Sequence, residues 1–160
     1  MKHLRLLLLV TAALFAAPAS ADDLTITPAS VLASSSATFE DGIAGAPLTR
    51  GMLVYSDSTD SGKWKPADAN MIAAKGVRGM AYGDAASGQF IRVIIKDPAL
   101  TVGATLSLSA PIYVLSATAG GIAPVADLTT GWFPVPVMTA LTTSTAYFNP
   151  AGMPGSTAAE

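Results

Sequence analysis

The sequence holds 160 residues, 51% of them hydrophobic, with nine basic and eleven acidic side chains, a single histidine and no cysteine. Disulfides, thiol nucleophiles and thiolate metal sites are therefore excluded. Charged residues make up only 12% of the chain and the balance is acidic, so a nucleic-acid partner, which needs a basic face, is not expected.

Residues 1–21 have the three parts of a secretory signal peptide. Lys2, His3 and Arg5 form the basic start, and an apolar run follows from Leu6 to Ala17. That run is well short of the ~20 residues needed to span a bilayer, so no permanent membrane anchor is expected. Pro18 and the small residues Ala19, Ser20 and Ala21 place cleavage before Asp22. The mature chain then keeps 139 residues, enough for one domain, with seven basic against eleven acidic side chains. Localisation is expected to be periplasmic or extracellular.

Residues 22–38 are rich in Ser, Thr and Ala without a period, and Ser34-Ser35-Ser36 suggests a flexible arm. Folded structure is expected from Phe39 onward, as a β domain over 39–148. Short apolar runs there alternate with turn signals at Asp41-Gly42, Asp60-Ser61-Gly62, Gly83-Asp84, Ser87-Gly88, Gly120-Gly121 and Thr130-Gly131. This rhythm predicts an all-β fold, a small antiparallel sandwich or barrel with short turns and at most one short helix. Strands are expected over 51–56, 89–96, 105–110 and 112–115. In 89–96, Ile91, Val93 and Ile95 form the core face, with Phe90, Arg92, Ile94 and Lys96 on the other. Residues 105–110 alternate most strictly, with Leu106, Leu108 and Ala110 on one side. Residues 70–75, followed by Gly76, are the one helical candidate. Pro134 and Pro136 mark an edge segment, because each lacks a backbone donor. Residues 149–160 are expected to be a mobile tail.

His3 leaves with the leader, so the mature chain has no imidazole or thiol for general-base, nucleophilic or soft-metal chemistry. Asp57 to Gly62 lacks the spacing of a calcium loop and reads as a solvated turn. The carboxylates Glu40, Asp41, Asp57, Asp60, Asp68, Asp84, Asp97 and Asp127 mostly fall at turn signals rather than forming a glycosidase pair. The glycine-rich run 76–83 matches neither a dinucleotide fingerprint nor a phosphate loop, and close strand packing explains it better. Nothing in the spacing joins Lys63, Lys65, Lys75 or Lys96 to a serine as a dyad. The reading is therefore a non-enzyme with no catalytic, cofactor or metal residue. Trp64 and Trp132, with Pro134 and Pro136, are the candidate interface residues, because indole and an unpaired edge suit protein contact. The alternative is an exported adhesin-like or carbohydrate-binding β module in which Trp64, Trp132 and Tyr113 form a stacking platform.

Residues 44–51 (Ala-Gly-Ala-Pro-Leu-Thr-Arg-Gly) leading into Val54-Tyr55, residues 63–70, residues 76–81 and residues 113–128 together carry a family resemblance. Over about residues 39–145 the chain resembles the head decoration (capsid cement) proteins of tailed phages. That resemblance implies a compact β domain seated on an assembled capsid shell at the virion surface. It further implies a homo-oligomer, often a trimer, with the shell protein as partner and no catalytic role.

Overall fold

A computed structural model describes residues 23–152; the expected leader, Asp22 and residues 153–160 lie outside the described residues. Nine strands make up the fold: β1 (Thr38–Ile43), β2 (Leu53–Asp57), β3 (Lys63–Pro66), β4 (Gly79–Ala81), β5 (Phe90–Thr101), β6 (Ile112–Leu115), β7 (Ile122–Pro124), β8 (Pro136–Ala140) and β9 (Thr145–Phe148). Every ladder between them is antiparallel. Helical geometry among the described residues is confined to three-residue 3-10 turns, so the fold is all-β as expected.

One sheet runs in the order β3-β2-β4-β5-β9-β8-β6-β7, with β1 paired to β5. It bends in the middle of β5, the longest strand at twelve residues. The first half of β5 pairs with β1 and β4, and the second half pairs with β9 after a register shift between Asp97 and Leu100. On the first side of the bend, β1 returns to β3 through a parallel bridge between Ala44 and Trp64, which closes β3-β2-β4-β5-β1 into a ring. On the second side, β5-β9-β8-β6-β7 curls into a half-barrel.

The cores follow from this path. Leu53, Met80 and Ile94 are register partners across β2, β4 and β5, and all three point into the larger cluster with Leu100, Leu115, Met138 and Phe148. Their sequence neighbours Val54, Ala81 and Val93 point the other way, into a smaller cluster built around Trp64. The β2-β4-β5 sheet is thus a wall buried on both faces. Apolar residues therefore come in adjacent pairs there, as sheets covered on both sides demand. The strand expected over 89–96 exists, but Ile94, placed on its outward face, is fully buried in the larger cluster. Gly79 sits within the wall, where an added Cβ would lie 2.5 Å from the Ile94 carbonyl oxygen. Close strand packing is what this glycine serves.

Other expectations are corrected. Residues 105–110 form no strand: Leu106 is buried, Leu108 is exposed, and the backbone bonds go instead to Thr143 O and the Tyr113 hydroxyl. A strict alternation without a neighbouring edge to pair with stays a loop. Residues 70–75 form turns rather than a helix. Asp41-Gly42 lies inside β1 rather than at a turn; Gly42 is there because an added Cβ would meet the Trp64 indole at 2.5 Å. The proline-marked segment is not a sheet edge, since β8 lies between β6 and β9. Pro136 is tolerated as the first residue of β8, at the irregularity between Tyr113 and Val114 of β6. At the C-terminal end, Asn149 N–H bonds to Val137 O and Pro150 is buried, so these first residues of the expected tail belong to the body.

The expected flexible arm is the largest correction. Residues 23–37 are packed as a strap across the half-barrel: Leu24 N–H bonds to Ile122 O on β7, and Leu32 exchanges two bonds with Thr101 on β5. Val31 is fully buried, with Leu24 and Ile26 against the same cluster. Composition hid this, because three well-placed apolar residues suffice to seat an otherwise small-residue segment.

Candidate protein-contact surface

Alternation along β1 puts Phe39, Asp41 and Ile43 on one face, and the register sets them opposite Ile94, Arg92 and Phe90 of β5. Ile43 and Phe90 form an exposed apolar pair at one end, with Phe90 62% exposed. The Arg92 guanidinium then clamps Asp41 with two bonds of 2.8 and 3.0 Å and lies 5.6 Å over the Phe39 ring. Phe39 packs on Tyr82 at 5.5 Å between centroids, tilted by 47°, and Arg50 sits 5.0 Å over the Tyr82 ring. The result is a ridge in which two arginines bracket the Phe39–Tyr82 pair, ending in two exposed hydrophobes. Aromatic and arginine side chains combine apolar area with directed bonding, the composition that dominates the centres of protein interfaces.

Electrostatics hold the ridge in shape. Arg92 beside Asp41 keeps that carboxyl below the usual carboxylate range, and Asp41 in turn raises Arg92. Nearby, Arg78 bonds Glu40 of β1 at 2.8 Å and lies 6.0 Å over the Trp64 ring. At the β2–β3 turn, Lys65 bridges Asp57 and Asp60 at 2.8 and 2.9 Å. Lys65 and the Thr59 hydroxyl and amide pull Asp57 down to about 2, and both carboxylates raise Lys65 above its ordinary value. That lysine holds its proton more firmly than a free one, the opposite of what a general base needs.

The acids weighed as catalytic pairs are thus mostly in structural use. Glu40, Asp41, Asp57 and Asp60 are in ion pairs. Asp68 accepts from Asn70 N–H, Asp84 from Arg50 N–H, and Asp97 from Ser34. No group of three or more His, Cys, Asp or Glu that could hold a metal occurs among the described residues.

The residues nominated as interface are not brought together. Trp64 is buried at 2% exposure in the small cluster, whereas half-buried Trp132 packs on the large one. Pro134 is exposed and Pro136 half-buried beside Trp132, apart from Trp64. Tyr113 is buried in the large cluster, its hydroxyl accepting from Ser107 N–H at 2.7 Å. The three rings of the proposed sugar platform therefore share no surface. Phe39, Tyr82, Arg50 and Arg92 were missed. Part of the signal was legible, because alternation had already turned Phe90 and Arg92 outward; their neighbours Phe39, Tyr82 and Arg50 come from β1, the residue after β4 and the 49–52 turn, which only the fold joins.

The protein is an all-β body with a ringed half, a half-barrel and an arginine–aromatic ridge. No protein-family model, curated protein or solved structure matches the chain.

Proposed function

We propose that this chain is a non-enzymatic structural protein that docks as an oligomer on a protein shell, in the manner of the phage head decoration proteins that residues 39–145 resemble. The observation that carries the reading is the ridge from Ile43 and Phe90 through Arg92, Phe39 and Tyr82 to Arg50. It offers exposed apolar and cation–aromatic area on a chain with few charges, and such area is what a partner protein covers. The oligomer implied by the resemblance is a trimer, and its place is the virion surface.

Two measurements test this together. Solution mass of the purified protein, with mass spectrometry of its N-terminus, reports subunit number and cleavage after Ala21. Recovery of the protein on purified virions, abolished by Phe39→Ala with Phe90→Ser, supports shell docking. Recovery only from a periplasmic fraction, as a monomer, overturns it in favour of an exported binding module.

A further inference from the structure

The strap over residues 23–33 closes the gap that the half-barrel leaves between β7 and β5. Four main-chain bonds fasten it: Leu24 N–H to Ile122 O, Thr27 N–H to Gly103 O, and the mutual pair between Leu32 and Thr101, each 2.8 to 3.0 Å. Its bed is made of glycine. An added Cβ at Gly51 would meet Ile26 at 2.8 Å, one at Gly103 would meet Thr27 O at 2.7 Å, and one at Gly121 would meet the Asp23 carboxylate at 3.1 Å. Gly51 and Gly103 also have φ of +96° and +74°, so both the space and the backbone of this channel require glycine. The channel is shaped for one segment, extended apart from the 3-10 turn at Pro28–Ser30, carrying apolar side chains where Leu24, Ile26 and Val31 fall.

The strap is nevertheless open to solvent along parts of its flank. A surface crevice of about 310 Å³ is lined by Asp23, Leu24 and Ile26 together with Met52 and Gly120, and a second of about 410 Å³ by Thr27, Pro28 and Ala29 with Arg50 and Asp84. Few bonds and open flanks mark the segments that open before the rest of a fold. The firm attachment is at one end. Asp97, fully buried at the bend of β5, accepts the Ser34 amide at 2.8 Å, the Ser34 hydroxyl at 2.5 Å and the Ala99 amide at 2.9 Å. Beyond that clasp, Ser35 and Ser36 form an exposed turn before β1 begins at Thr38.

We propose that the strap is exchangeable: residues 23–33 of one copy open at the Ser35–Ser36 turn and seat in the channel of a second copy, where Ser34 clasps the acceptor's Asp97. The occupant is a second copy because the channel already fits this segment residue for residue, and exchange of an identical element needs no new contacts. The inference does not rest on the proposed shell-docking role: it concerns the strap and its channel, which meet the ridge only where the Ala33 N–H donates to the Tyr82 hydroxyl at 3.5 Å and where Arg50 flanks the strap.

The absence of cysteine allows a clean test in the full-length chain. Leu32 and Thr101 face each other as a bonded antiparallel pair, a spacing a disulfide can bridge. The single variants Leu32→Cys and Thr101→Cys cannot form that bond within one chain. Mixed under oxidising conditions, they should cross-link at least about tenfold faster than Leu32→Cys mixed with the exposed control Ser58→Cys, because a seated strap holds the sulfurs at millimolar effective concentration. Adding Ser34→Ala to both should speed the reaction by about tenfold, the weight of one bond to a buried carboxylate. Cross-linking no faster than the control at any protein concentration overturns the proposal. Should the variants fold poorly, amide exchange in the unaltered chain decides: Leu32 and Thr101 should exchange through an opening that leaves Val93 and Ile94 protected, and exchange of all four only on global unfolding sinks the idea.

Discussion

The two faces of the β2-β4-β5 wall solve the same problem differently. Toward the half-barrel, Leu53, Met80 and Ile94 meet many medium-sized apolar side chains from seven strands and the strap. Toward the ring, Val54, Ala81 and Val93 meet a cluster with a single aromatic group, the Trp64 indole, set against Gly42 and accompanied by Ala44, Leu48, Ala85 and Ile91. A core of many similar side chains can shift to absorb a change, whereas a core organised on one ring over a glycine cannot. The difference teaches where this protein is brittle.

The sharpest break of that comparison is Trp64→Ala. We expect a loss of about 4 kcal/mol, with Leu115→Ala in the larger cluster costing closer to 2–3 kcal/mol, both read from urea unfolding. Equal losses would mean that the ring is no more brittle than the half-barrel. Next comes Gly42→Ala, where the new methyl group meets the indole: about 1–3 kcal/mol, much of it recovered when Trp64→Phe is combined with it. Additivity of the two changes would show that the close approach does not set the cost.

Asp97→Ala should cost about 1–3 kcal/mol, because the Ser34 and Ala99 amides lose their buried acceptor. It should also admit protease cleavage within residues 23–37 before the body is cut, which Trp64→Ala should not do. Phe39→Ala on the ridge is expected to change stability by less than about 1 kcal/mol while weakening any assembly the ridge makes, a separation visible by melting and sedimentation side by side.

The smallest effect is electrostatic. Asp41, Asp57 and Asp60 all titrate lower in the folded chain than their ordinary value, Asp57 at about 2. Their stabilising contribution is present above about pH 4, the unfolded carboxylate range, and is lost as pH falls toward 2. Because these groups are solvent-facing, the loss should be shallow, and Asp57→Asn should flatten it further. A pH profile between 5 and 2 that Asp57→Asn leaves unaltered would remove the β2–β3 turn from the account.

Turn chemistry and apolar runs were enough to read an all-β body from the chain. Leu53-Val54 and Ile112 to Leu115 became strands, and Gly62, Gly88, Gly120 and Gly131, all at positive φ, mark turns where turns were expected. The absence of cysteine and of any histidine beyond His3 is also a property of the letters alone, and no fold can alter it. The rest required partners distant along the chain. Whether Ile94 faces solvent depends on the half-barrel behind it, whether residues 105–110 pair depends on a free edge, and whether Ser34 is loose depends on a carboxylate 63 positions away. Alternation reports which side chains share a face; only tertiary packing decides whether that face is covered, because burial is a relation between segments that no single segment encodes.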